Sequence, residues 1–297
     1  MRVTVTGANG LVGSRLCRLL AVEGHDVTAV ARGQRRTRGE HPYLSCDLTD
    51  PAEVDKAMAA ARPEVVVHTA SMTEVDACER DPDAAWAANV LATALVARQA
   101  RASGAHLVHV STDYVFDGQE GPYGEDARPN PSGVYARTKW LAEEAVRLLA
   151  GSWAIARTAV VYGYPPSQRP NFGSWLLETL RAGKTARLFV DQQVSPSLAL
   201  NVADMLAELA VRRLPGMWNV AGAEVVNRMQ FGEALADVFA LDRRLLVPIR
   251  LADSGLASPR PPRSGLRVDK ALATLEARPL GLRASLEQFR AEVEAGA

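Results

Sequence analysis

The stretch Val3-Thr4-Val5-Thr6-Gly7-Ala8-Asn9-Gly10-Leu11-Val12-Gly13 decides how this chain is read. A β-branched run passes straight into glycines spaced three apart, and a helical pattern follows at 14–20. Three residues without a Cβ allow a tight turn, close approach of backbone to a pyrophosphate, and close packing of helix on strand. The start of the helix supplies oriented N–H groups for the phosphates. A glycine pattern alone is weak evidence, because 22 of the 297 residues are glycine and tight turns need them for structural reasons. Here the pattern follows a strand, opens a helix and occupies the first βα unit, the context that a dinucleotide-binding turn requires.

Outward from this turn, apolar runs at 3–6, 27–31, 65–68, 106–110 and 154–157 alternate with helical patterns at 11–23, 51–61, 83–101 and 134–149. Such alternation predicts βαβ units with right-handed crossovers and a parallel sheet. The strands are nearly continuous apolar runs, as expected where helices cover both faces. The expected fold class is α/β: a Rossmann-type doubly wound parallel sheet with a smaller C-terminal α/β substrate lobe. After Tyr162 the spacing becomes irregular, and Pro165, Pro166 and Pro170 mark a loop. This divides the chain into an NAD(P)-binding Rossmann domain at 1–160, to which the chain returns around 186–202, and a substrate-binding lobe at 161–297. Prolines 259, 261 and 262 mark another connection, and 284–294 reads as a closing amphipathic helix.

Composition narrows the partners. With 47% hydrophobic and 23% charged residues the chain is an ordinary globular protein. Thirty-four basic residues balance 34 acidic ones, so no global field holds nucleic acid or an anionic membrane. Cys17, Cys46 and Cys78 are odd in number and widely spaced, which argues against a disulfide framework or a zinc site and for a reducing cytoplasm. No run approaches the roughly 18 apolar residues of a membrane helix, and no basic segment followed by an apolar run opens the chain. Neither a membrane nor secretion is expected.

The second strand ends at Ala31-Arg32, where an NAD-preferring site carries an acidic residue for the ribose hydroxyls. Arg32, Arg35, Arg36 and Arg38 stand there instead. They favour the 2′-phosphate of NADP(H) by charge-assisted bonding, with NAD(H) left open. The other account of these arginines is a solvated loop.

Tyr135 and Lys139 are four apart at the start of the 134–149 helix, so both side chains share one face. A tyrosine near pKa 10 is a poor acid or base at neutral pH, and an adjacent ammonium is expected to lower that value. Only four of the 34 basic residues are lysines, which sets Lys139 apart. Thr112 lies at the C-terminal end of the preceding strand, where open parallel sheets place their sites. Its hydroxyl could hold a substrate carbonyl while Tyr135 delivers the proton; alternatively, Ser111 and Thr112 merely cap a loop.

Together the glycine turn, Thr112 and the YxxxK pair resemble the extended short-chain dehydrogenase/reductase superfamily. Within it, VHTASMTEVDACE at 67–79, Asn89-Val90 and STDYVFDG at 111–118 resemble the dTDP-4-dehydrorhamnose reductase family. DQQVSP at 191–196 and RPPRSGL at 260–266 echo it more loosely. The resemblance implies an NADPH-dependent reductase of a nucleotide-linked 4-keto-6-deoxy sugar, with Thr112, Tyr135 and Lys139 as the catalytic set. It implies that Gly7, Asn9, Gly10, Leu11, Val12 and Gly13 line the pyrophosphate, Asp47 and Leu48 the adenine, and Thr69, Ala70 and Ser71 the central cofactor segment. Tyr135 and Lys139 also touch the cofactor in this scheme. The partner is a small-molecule sugar nucleotide, and a homodimer is left open.

Two departures bear on substrate. Leu11 replaces the glutamine common in the family's glycine turn, and RTAVVY at 157–162 replaces RTSWVY, so that Val160 stands where a tryptophan flanks the sugar. The chain thus also resembles the regulatory β subunit of methionine adenosyltransferase, a non-catalytic NADP-binding relative, and a sugar-nucleotide epimerase stays in play. A 4,6-dehydratase is disfavoured, because Asp113 is followed by Tyr114 rather than by the glutamate that water elimination needs. No metal site is expected: His25, His41, His68, His106 and His109 form no ligand spacing. Phe172 and Trp175 are read equally as core or as a stacking surface for a base.

Overall fold

The structure, a computed structural model, describes residues 1–36, 39–164 and 170–296. β1 (Arg2–Thr6), α1 (Leu11–Val22), β2 (Asp26–Ala31), β3 (Tyr43–Ser45), α2 (Pro51–Ala61) and β4 (Val65–His68) come first. Next are α3 (Val75–Arg80), α4 (Pro82–Trp86), a π-helical turn (Ala87–Leu91), α5 (Ala92–Ser103), β5 (His106–Thr112), α6 (Val134–Leu149) and β6 (Ser152–Thr158). There follow β7 (Val161–Tyr162), α7 (Phe172–Arg181), β8 (Ala186–Phe189), β9 (Gln193–Val194), β10 (Ser197–Leu198), α8 (Ala199–Val211) and β11 (Gly216–Asn219). The chain ends with β12 (Val226–Asn227), α9 (Arg228–Val238), β13 (Leu246–Ile249), α10 (Asp269–Thr274) and α11 (Leu282–Ala295).

Seven parallel strands form the main sheet in the order β11-β6-β5-β4-β1-β2-β3. Strand order reverses between β1 and β4, and at such a switch point the crevice beyond the carboxyl ends of the strands takes ligands. Helices cover both faces. On one, Leu16 and Leu20 of α1 and Val202 and Leu206 of α8 pack on Val3, Val5 and Val67. On the other, Val54 and Met58 of α2, Leu95 and Val96 of α5 and Val146 of α6 pack on Val30, Val66, Leu107 and Ile155. Each such side chain contributes roughly 1.5–3 kcal/mol by leaving water. Local signals set the helix ends: Asp50 caps α2 by accepting from Ala52 N at 2.8 Å and Glu53 N at 3.2 Å, and Pro51 follows with its φ preset for the first turn.

A separate apolar cluster of Tyr162, Leu176, Leu188, Phe231, Leu235 and Phe289 forms beyond β6. Between β7 and α8 the chain lies outside the main sheet. β8 pairs with β13 and β9 with β12 in small two-stranded sheets, and the chain rejoins through α8, packed on α1, and β11, paired with β6. β11 escapes sequence reading because Pro215-Gly216 looks like a turn, and Gly216 does adopt φ +91°. The helix expected over 83–101 is interrupted by the π-helical turn that carries Asn89.

Candidate active site

The glycine turn follows β1 at the switch point. Gly7 has φ +71°, and a Cβ there would lie 2.6 Å from Ala70 N; a Cβ at Gly13 would lie 2.4 Å from the Gly7 carbonyl oxygen. No side chain caps α1, whose N-cap is Gly10, so its first amides are left for an anion. Leu11 and Val12 form the opening of that helix. This side-chain-free cradle fits a dinucleotide pyrophosphate.

Asn9 fastens the arginine-bearing loop to the turn. Its Nδ2 donates to the Gln34 carbonyl and to the Tyr43 hydroxyl, both at 3.1 Å, and its Oδ1 accepts from Arg36 N at 2.9 Å. Arg32 is exposed at the end of β2, close enough to add to the lowering of the Asp47 pKa, which bonds from Thr49 N and Oγ1 dominate. Arg35 is engaged elsewhere, donating to the carbonyls of Gly39 and His41 and lying 5.5 Å from the Tyr43 ring centre. The expectation of four ready arginines is thereby reduced: Arg35 is occupied, and Arg38 lies outside the described residues. Leu48 is buried in the core beside Asp47. Thr69 Oγ1 donates to the Thr6 carbonyl at 2.7 Å, Ala70 lies under Gly7, and Ser71 Oγ donates to Asn89 Oδ1 at 2.8 Å.

Thr112 ends β5. Its hydroxyl donates to Asp113 Oδ1 at 3.1 Å and accepts from Tyr114 N at 3.2 Å. Tyr135 is buried at the start of α6, its ring edge-on to Tyr114 with centroids 5.8 Å apart. Burial pushes the Tyr135 phenol well above its usual value, and the Thr112 hydroxyl beside it works only partly against that. The expected lowering by Lys139 is thus not what the structure shows: desolvation of the phenolate dominates, and Asp113, Tyr114 and Cys78 raise the value further. Lys139 Nζ instead donates to the Val110 carbonyl at 2.8 Å and lies 3.5 Å from His109 Nε2. Burial lowers Lys139 to about 8, with Glu143 opposing the shift. Burial and Lys139 hold His109 well below the usual imidazole range, so it is neutral.

Sequence reasoning assigned no site role to several residues that the structure places here. Asn89, fully buried in the π-helical turn, also accepts from Met72 N and donates to the Met72 carbonyl and Thr138 Oγ1, tying the 69–72 segment to α6. Its sequence signals are the Asn89-Val90 element of the family resemblance and a polar residue amid an alanine-rich helical pattern, neither of which names a partner. Asp113 is buried, which pushes its pKa up to about 6, while bonds from Ser264 and Thr112 hold it down. Ser264 Oγ donates to Asp113 Oδ2 at 2.6 Å, and Arg260 pairs with Asp76 at 2.7 Å, so the 260–266 segment closes over the end of β5. Val160, where a tryptophan was expected, adopts φ +43°, rare for a β-branched residue. Phe172 packs against the second cluster and stacks with the partly exposed Trp175, centroids 6.0 Å apart. Among the described residues, no group of three His, Cys, Asp or Glu side chains could hold a metal, and no helix is long and apolar enough to cross a membrane.

A parallel seven-stranded sheet, a glycine cradle at its switch point and a threonine, tyrosine and lysine beyond β5 define an extended short-chain dehydrogenase/reductase, a class of NAD(P)-dependent oxidoreductases. The chain belongs to the family described as the RmlD substrate binding domain, whose model matches residues 1–295. It is 39% identical to dTDP-4-dehydrorhamnose reductase of Streptomyces griseus over 217 residues, 72% of this chain and 67% of that one. It is 30% identical to methionine adenosyltransferase 2 subunit beta of Danio rerio, over 91% of this chain and 83% of the relative. Its fold superposes on dTDP-4-dehydrorhamnose reductase of Bacillus anthracis in complex with NADP with a TM-score of 0.88 and 25% identity, over 98% of this chain and 99% of that one.

Proposed function

We propose that the protein is an NADPH-dependent reductase of a nucleotide-linked 4-keto-6-deoxy sugar. Tyr135 carries the proposal: it stands buried at the start of α6 beside the hydroxyl of Thr112, the residue that ends β5, where a protonated phenol can give its proton to a developing alkoxide. In this reading Gly7, Gly10, Leu11, Val12 and Gly13 hold the pyrophosphate, with Asn9 bracing the turn. Arg32 meets the 2′-phosphate, Asp47 and Leu48 the adenine, and Thr69, Ala70 and Ser71 the central part of the cofactor. When bound, the reduced cofactor supplies a hydride to the sugar ketone carbon. Thr112 positions the ketone oxygen, Tyr135 protonates it and later regains a proton from solvent, and Lys139 keeps a positive charge beside the cofactor ribose.

The reading has a sugar nucleotide as partner, without nucleic acid or membrane, in a cytoplasmic setting, with an NAD(P)-binding domain at 1–160 and a substrate-binding lobe at 161–297; sedimentation would tell whether it acts as a homodimer. Incubation with NADPH and a panel of dTDP-, UDP- and GDP-linked 4-keto-6-deoxy sugars should consume the cofactor with at least one of them. The second reading, a regulatory subunit, draws on the 30% identity to the Danio rerio protein and on Val160. It predicts NADP(H) binding with no consumption across the panel.

A further inference from the structure

Arg228, the first residue of α9, lies against Gln192, which precedes β9. Its Nε donates to Gln192 Oε1 at 3.0 Å, and its guanidinium carbon lies 4.5 Å from the centre of the Phe172 ring. Nη1 is buried and has no hydrogen-bond partner among the described residues. The bond from Arg228 fixes which end of the Gln192 amide is oxygen, and so turns Nε2 the other way. Gln192 is 1% exposed, and Nε2 lies against the Tyr114 phenol without an acceptor in bonding geometry. Arg228 Nη1 is therefore a buried donor without an acceptor, beside a Gln192 amide whose Nε2 is held only loosely at the Tyr114 phenol, and buried donors are seldom left so.

The surrounding charges do not remedy this. Arg260 is matched by Asp76, and Asp113 accepts from Ser264 and Thr112, while Arg228 forms no ion pair among the described residues. Desolvation disfavours its charged form, and Asp113 and Tyr114 only partly offset this. The guanidinium is half-buried, but its inner Nη1 is shut off from water without a partner, and an anion would complete it. The helix start is not an alternative claimant, because Asn227 and Gln230 close it in a reciprocal capping box.

We propose that Arg228 and Gln192 form an oxyanion subsite for the substrate, receiving a phosphoryl group of a nucleoside diphosphate or a carboxylate carried on the sugar. The inference rests on the reductase reading for what lies next to it. Tyr135 touches Tyr114, Tyr114 meets Gln192, Gln192 holds Arg228, and Arg228 covers Phe172, which stacks on Trp175. That order matches sugar, anion and base, and favours the phosphoryl source.

The test is calorimetry on NADP-saturated protein and its Arg228→Met and Gln192→Leu variants. The ligands are dTDP, UDP and GDP against their nucleosides, and UDP-glucuronate against UDP-glucose. The phosphoryl source predicts that the wild type prefers at least one diphosphate to its nucleoside, and that Arg228→Met cuts that preference roughly tenfold or more. NADP affinity should stay unchanged in both variants, which also reports that they fold. A carboxylate source would show instead as loss of a glucuronate preference alone. The subsite is overturned if the wild type shows neither preference, or if both survive Arg228→Met. Preferences lost in the variant of a protein that never consumes NADPH would keep the subsite and reject the reductase; turnover with unchanged KM in Arg228→Met would do the reverse.

Discussion

Tyr135 and Lys139 titrate in opposite senses, and that gives the site a recognisable pH signature. The phenol is held above its ordinary value and stays protonated across the physiological range. The lysine is held at about 8, so it loses its charge as pH rises through that value. kcat/KM should therefore fall above about pH 8. Because the folded-state pKa of Lys139 lies below the unfolded value, the folded protein binds fewer protons between about 8 and 10.5, and this residue's contribution to stability grows as pH climbs through that window. Activity and this increment of stability thus move apart, and Lys139→Met should abolish both trends, which rate profiles and melts of the two proteins would read. Tyr135→Phe should lower kcat by roughly 10²–10⁴ with NADPH affinity nearly unchanged; full turnover would place the proton donor elsewhere. Arg32→Ala should reduce the preference for NADP over NAD by roughly 1.5–3 kcal/mol, and equal affinity for the two cofactors in the unaltered protein would contradict the role given to Arg32.

At the scale of elements, α6 is held to the sheet by an ion pair that sequence periodicity does not reveal. Glu143 and Arg157 are both essentially inaccessible, and Arg157 donates Nε to Oε1 at 2.9 Å and Nη2 to Oε2 at 2.7 Å. Ser111 adds a third bond to Glu143 Oε1 at 2.6 Å, so β5, β6 and α6 meet at one carboxylate just behind Thr112 and Tyr135. Removing one partner, as in Arg157→Met, should cost up to about 3–5 kcal/mol in denaturant unfolding, since it leaves the buried Glu143 with only the longer 3.9 Å ion pairing to Arg147. The double change Arg157→Met with Glu143→Leu should recover much of that loss, and a fully additive result would show that the pair is not coupled. The strands β1, β2, β4, β5 and β6 were legible because each carries a short apolar run, a signal set locally. β3 and β11 were not, because three residues after Pro42 and four that begin at the glycine of Pro215-Gly216 acquire strand geometry only from a neighbour already in place. The π-helical turn was hidden for a related reason: Asn89 earns its position from Ser71, Met72 and Thr138, all distant in sequence.

Across the whole molecule, the packing around the main sheet and the separate apolar cluster beyond β6 are joined at points where functional residues stand. Arg15 of α1 donates to the Leu11 carbonyl in the glycine turn at 2.8 Å and to the Tyr164 carbonyl, and pairs with Glu292 of α11 at 3.4 Å. On the far side of the crevice, Ser264 and Arg260 reach Asp113 and Asp76. The cofactor half of the site was readable from local motifs, since a glycine turn and a YxxxK pair each lie within one element and its approach. Arg228, Gln192 and Ser264 were not, since their meaning depends on contacts spanning 36 to 151 residues of chain. The central claim, that this crevice delivers hydride to a sugar ketone, is tested most directly by supplying NADPH deuterated at its transferable C4 position with the accepted 4-keto sugar nucleotide, and weighing the product. One deuterium bound to C4 of the sugar is the predicted result; a product without label, or NADPH bound but unconsumed across the whole panel, would contradict it.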